Sequence, residues 1–214
     1  MSKTPGKLFL VSALLAAALS GCVSLIPPDP HKAFVGHDAP RFHSYAVLGR
    51  KIFAAEIGPK DGPPVLFVHG SPGSWGVAAS LMTDPTLVER AHLIAIDRPG
   101  FGRSGAGLLE TSLLRQAAML KKVLDQAAPG RKVIVAGREL EKMLPLWGKI
   151  RIPVEIIQGD ADALVPPENA DFAARMLTRT SVRLTRVPNQ GHEIPFERPD
   201  LIRDAIVRLL DGER

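Results

Sequence analysis

A single cysteine, Cys22, stands in 214 residues, so no disulfide can close within the chain. Aromatic residues are scarce: eight Phe, two Trp and one Tyr. No Lys/Arg run occurs, and the excess of 27 Lys+Arg over 22 Asp+Glu is spread out, leaving a formal charge of +5. Without a basic stripe interleaved with aromatics, a nucleic-acid partner is not expected. The six histidines are scattered, with no Cys/His cluster at metal-ligand spacing. No metal and no cofactor are expected. No apolar run reaches the ~20 residues of a membrane-spanning helix. What the chain does have is 45% hydrophobic and 23% charged residues, ordinary for one globular domain with a core.

The longest apolar run, Leu8 to Leu19, is broken only by Ser12 and follows Lys3 and Lys7. As a helix it would span roughly 18 Å, short of a hydrocarbon core about 30 Å thick. It reads as the core of a signal peptide covering 1–22. Leu19-Ser20-Gly21-Cys22 follows, and it resembles the bacterial lipobox. That resemblance implies acylation of the Cys22 thiol with a diacylglycerol, cleavage before it, and further acylation of the new amino terminus with a chain such as palmitate. Two or more acyl chains make a stable anchor. The plain alternative is a secretory signal with a chance cysteine. Val23, rather than Asp, follows Cys22. In a Gram-negative lipoprotein this implies the outer membrane, facing the periplasm. Residues 23–40 carry Pro27, Pro28, Pro30 and Pro40 and read as an extended tether, leaving 41–214 as the folded domain.

Short apolar runs at Val65–Val68, Leu93–Ile96, Val133–Ala136 and Val154–Ile157 read as strands buried on both faces. Residues 42–48 and 51–57 suit an antiparallel hairpin turning near Gly49. Val182 to Val187 alternates, as an edge strand does. Between the strands, Leu113, Leu114, Ala117, Leu120 and Leu124 mark one helix. A second opens at Pro166-Pro167, and a third near Pro199 with Leu201, Ile202, Ala205, Ile206, Leu209 and Leu210 on one face. The order predicts an α/β domain: an open, mostly parallel sheet with helices on both faces.

Four motifs occupy strand ends. Val65 to Gly73 reads VLFVHGSPG, Asp97 to Ser104 reads DRPGFGRS, Gly159 to Pro166 reads GDADALVP, and Gly191-His192-Glu193 follows the alternating strand. In this order they resemble the α/β-hydrolase family of serine hydrolases, over roughly residues 41–211. The resemblance implies that Gly70 and the N–H of Ser71 form part of an oxyanion hole. It implies that Asp162, rather than Asp160, is the catalytic acid and His192 the catalytic base. Such a carboxylate orients the imidazole and stabilises its charged form. The Asp97 loop would shape the pocket floor, with Ser104 structural.

The family also needs Gly-x-Ser-x-Gly after its fifth strand, where a sharp turn exposes the serine. Here Gly137-Arg138-Glu139-Leu140-Glu141 follows. Glu139 stands at the nucleophile position, and Glu141 replaces a glycine. Only fifteen residues separate Gly137 from Pro153, room for one crossover helix, which Glu139 to Trp147 would supply. The pattern reads as an internal deletion of elbow, one strand and cap, so the acid-bearing strand is expected to pair directly with strand five. Ser71, Ser74 and Ser104 share the rim but none has an elbow. The resemblance therefore implies a membrane-anchored hydrolase of small ester or amide bonds, impaired or inactive for want of a nucleophile. The alternatives are a non-catalytic module that binds a small molecule, and a hydrolase with a substitute nucleophile.

Overall fold

The computed structural model describes residues 29–105, 108–137 and 149–212. The signal peptide, Cys22, Glu139 and the helix expected at Glu139–Trp147 lie outside the described residues. Seven strands are formed among them: β1 Arg41–Val47, β2 Arg50–Ile57, β3 Pro64–Val68, β4 His92–Ile96, β5 Ile134–Gly137, β6 Val154–Gly159 and β7 Val182–Val187. The α-helices are α1 Pro85–Val88, α2 Leu113–Ala127, α3 Glu168–Met176, α4 Ile194–Glu197 and α5 Pro199–Leu210.

The first five strands form one sheet, ordered β1-β2-β4-β3-β5. β1 and β2 are an antiparallel hairpin, β2 runs antiparallel to β4, and β4, β3 and β5 are parallel. Leu48 and Gly49 turn the hairpin with φ of 47° and 80°, the twist-matched geometry of a two-residue loop. The two-residue alternation of β2 divides the core. Phe53, Ala55 and Ile57 face a cluster with Trp75, Met82, Leu87 and Ile206. Ile52 and Ala54 face the other way, with Leu66, Ile94, Met119 and Val123. α2 thus covers one face and α5 the other, as the sequence predicts. Ser112 caps α2 by accepting from the Arg115 N–H.

Two expectations are corrected. β6 does not pair with β5; it pairs in parallel with β7 alone, as a separate two-stranded sheet. Among the described residues no strand pairs with the far edge of β5, and Val135 is 58% exposed. The reason lies in α5, which packs against both strands. Its Ile206 and Leu210 join the cluster that includes Ile134 and Ala136 of β5. From its other flank Arg208 grips Glu155 of β6 with two hydrogen bonds, 3.0 and 2.6 Å. A helix is about 10 Å wide, roughly two strand spacings, so α5 bridges the two sheets across the gap. Nor is the described part of the Pro-rich stretch an extended tether. Residues Pro30–Phe34 form a 3-10 helix, capped by Asp29 and held by the burial of Phe34 against Trp75.

Candidate active site

Val68, Ile96 and Gly137 lie level across β3, β4 and β5. The loops that begin at His69 and Asp97 therefore open, with the end of β5, at one edge, the carboxyl end of the sheet, where open α/β sheets bind ligands. His69 is buried. Its Nδ1 donates to the Gly70 carbonyl at 2.6 Å, and its Nε2 accepts from the Arg98 N–H at 2.9 Å. A ring nitrogen that accepts carries no proton, so this imidazole is a neutral brace. It fixes Gly70, and Ser71 follows, exposed on the rim. Gly73 closes the turn: a Cβ there would lie 2.9 Å from His69 Nδ1.

The Asp97 carboxylate is buried and ties the neighbouring loops together. Oδ1 accepts from the Trp75 N–H and Oδ2 from the Arg103 N–H, both at 2.7 Å. Ser104 Oγ accepts from the Phe53 N–H and donates to the Asp97 carbonyl, both at 2.8 Å. Its hydroxyl is consumed in the scaffold. Ser74 Oγ accepts from the Gly76 N–H at the start of the 3-10 helix Trp75–Ala78.

The other half of the site sits on the small sheet. β6 ends at Gly159, where the chain before His192 crosses so closely that a Cβ would lie 2.2 Å from the Gln190 carbonyl oxygen. The Ala161 N–H donates to that same oxygen at 2.9 Å. This crossing brings the two loops together. His192 Nδ1 donates to Asp162 Oδ2 at 2.9 Å. Asp162 Oδ1 accepts from the Leu164 and Val165 N–H groups, at 2.9 and 2.8 Å. Gln158 Nε2 donates to Oδ2 at 3.3 Å. Burial alone would raise the Asp162 pKa. The hydrogen bonds from Val165, His192 and Leu164 outweigh it and hold the carboxyl below its ordinary value. The acid is therefore ionised at neutral pH and the His192 ring is oriented by it. Asp160, by contrast, is turned to Arg186 at 3.5 Å.

The halves meet through α4, which follows His192 and packs on the helix Trp75–Ala78 that follows Ser71. The structure thus brings Asp162 and His192 into contact and sets their loop beside that of Gly70 and Ser71. Sequence reasoning placed Gly159 in its motif but missed Gln158 and the crossing at Gly159. Both end an apolar strand, and a lone amide there is the only local signal. Among the described residues no group of three or more His, Cys, Asp or Glu is placed to hold a metal. No described helix is long and apolar enough to cross a membrane.

Residues 63–138 match the family model described as the alpha/beta hydrolase fold. A haloalkane dehalogenase of Bradyrhizobium diazoefficiens is 42% identical over 59 residues, 28% of this chain and 18% of that protein. A haloalkane dehalogenase of Psychrobacter cryohalolentis is 42% identical over 79 residues, 36% of this chain and 25% of that protein. The chain thus spans a quarter or less of the length of these curated relatives. Among solved structures, a bacterial membrane phospholipase A has a TM-score of 0.66 at 19% identity, covering 98% of this chain and 99% of that one. A predicted CIB-like hydrolase from Thermoplasma acidophilum has a TM-score of 0.64 at 20% identity, covering 81% and 99%. At these identities the structural likeness is one of fold.

Proposed function

We propose, from the chain's membership of the α/β-hydrolase fold family, that it is a membrane-anchored relative of small ester and amide hydrolases whose turnover is impaired or lost. One observation carries this reading. The Asp162–His192 pair is held at 2.9 Å with the acid ionised, while the sequence after β5 reads Gly-Arg-Glu-Leu-Glu in place of Gly-x-Ser-x-Gly. In a working site a serine Oγ attacks the carbonyl and passes its proton to the imidazole. Here Ser104 and Ser74 are committed to backbone contacts. The family match ends at residue 138, one residue past β5, where the sequence departs from Gly-x-Ser-x-Gly. Cys22 would carry the lipid anchor, placing the domain at the cell envelope, at the outer membrane in a Gram-negative cell.

A covalent fluorophosphonate probe tests the loss of turnover. No labelling is expected at concentrations that saturate active serine hydrolases. Labelling that disappears in His192→Ala would overturn the reading and point to a substitute nucleophile. The retained Asp–His pair also supports a second reading, a module that binds a small molecule without turning it over. Saturable perturbation of the His192 ring resonances by a short ester, without hydrolysis, is the result that would favour it.

A further inference from the structure

The carboxyl-end rim carries an apolar patch that the site does not use. Leu48, Leu108, Leu109 and Leu114 are 53%, 70%, 56% and 67% exposed. The segments that bear them are tied together. Arg50 donates to the Leu108 carbonyl, binding the hairpin turn to this segment. Leu109 lies against Gly100, where a Cβ would come within 2.5 Å of its Cα. Arg115, beside Leu114, pairs with Glu110 at 3.0 Å.

The charges around the patch are of one sign. Residues 41–54 contain no carboxylate, and residues 97–118 contain only Asp97 and Glu110. Asp97 is buried and Glu110 is held by Arg115. Lys51 and Arg103 are exposed around the leucines, with Arg50 partly so. The chain enters the domain on the Trp75 side of the sheet. Pro30 rests on Gly76, and the His31 ring meets those of Phe42 and Trp75. The Arg103 guanidinium lies 5.2 Å over the Phe42 ring. From Cys22 to Asp29 is seven residues, a reach of at most about 25 Å.

We infer that this rim docks on the surface of an anionic lipid bilayer, the leucines entering the headgroup boundary and the cations meeting lipid phosphates. The reach argument rests on the reading of Cys22 as the anchor; the patch and its charge do not. Docking would turn the Ser71 and His192 loops toward the membrane.

The test uses the full chain in vesicles of phosphatidylcholine with about 30% phosphatidylglycerol, and in phosphatidylcholine alone. An environment-sensitive fluorophore is placed at Leu114→Cys, or at Lys60→Cys near the amino ends of the strands. The label at 114 is expected to shift to the blue and to be quenched by lipid-borne spin labels, more strongly with phosphatidylglycerol. The label at 60 stays in water. Leu108→Asp with Leu109→Asp should cut the quenching at 114 at least about tenfold. Equal solvent exposure at 114 and 60 overturns docking. So does shielding at 114 that depends on protein concentration without vesicles, which would mean a second copy covers the patch. Palmitate incorporation, compared with Cys22→Ser, reports the anchor separately, so either reading can fail without the other.

Discussion

Glu56 is 2% exposed on the α2 face of the sheet, away from the catalytic loops, and Glu56→Gln should weaken the fold in a pH-dependent way. Tyr45 donates to its Oε1, and His92 Nε2 donates to Oε2 at 2.9 Å. His43 Nε2 stands 4.0 Å away. Burial raises the Glu56 pKa, but the bonds from His92 and Tyr45 and the nearby His43 outweigh it, so the carboxyl lies below its ordinary 4.5. Burial, with the bond to this carboxylate, raises the Tyr45 phenol well above its ordinary value. The amide keeps the volume of the side chain and removes its charge. The amide has one accepting oxygen and one donating NH2, so one charge-assisted bond becomes neutral and the other must reverse or be lost, at a cost of about 1–1.5 kcal/mol each, or roughly 2–3 kcal/mol in all. For a domain of this size that lowers Tm by roughly 5–10 °C. The folded carboxyl is the more acidic, so its contribution is complete above the unfolded value and fades as pH falls through the folded one. Thermal unfolding at pH 7 should show the full gap between the two proteins, and the gap should narrow steadily below about pH 4.5. A gap under ~0.5 kcal/mol at pH 7, or one as wide at pH 3.5 as at pH 7, would refute the role assigned to Glu56.

Gly159→Ala drives a methyl against the Gln190 and Gly191 carbonyls, where the separations would be 2.2 and 2.6 Å. The loops must part by about 1 Å, enough to break a 2.9 Å bond. The Asp162 carbon resonance should then titrate closer to its ordinary 3.8, and an unchanged titration would show that the crossing does not set the pair. Arg208→Ala leaves Glu155 without its two-pronged partner, although Arg183 remains 3.6 Å away. Amide exchange in β6 and β7 should quicken at least about tenfold while β3 and β4 are little changed. Uniform acceleration would mean that the two sheets open together.

Strand positions, the three long helices and the pairing of Asp162 with His192 were legible because each rests on a local pattern: apolar runs, helical spacing, a motif at a strand end. Asp162 could be preferred to Asp160 from motif spacing, and the two side chains do part, one to His192 and the other to Arg186. The break in the sheet was not legible. Whether β6 joins β5 depends on what α5 spans, and no residue of either strand records it. The buried Glu56 lies in step with Ile52 and Ala54, so its face could be read, but its partners arrive from β1 and β4. The docked Pro30–Phe34 segment hides in a proline-rich stretch because Phe34 is its only core residue.

The break between β5 and β6 also changes what kind of object the site is. A continuous sheet behaves as one plate, and groups at its edge keep their spacing through a ladder of backbone bonds. Here Gly70 and Ser71 ride on one plate, Asp162 and His192 on another, and the linkage described between the plates runs through the side chains of α5 and the seat of α4. The distance across the site is then a mechanical variable, set by the compliance of two packed helices. A load applied to α5 would reach both plates, the small sheet through Arg208 and the large one through Ile206 and Leu210.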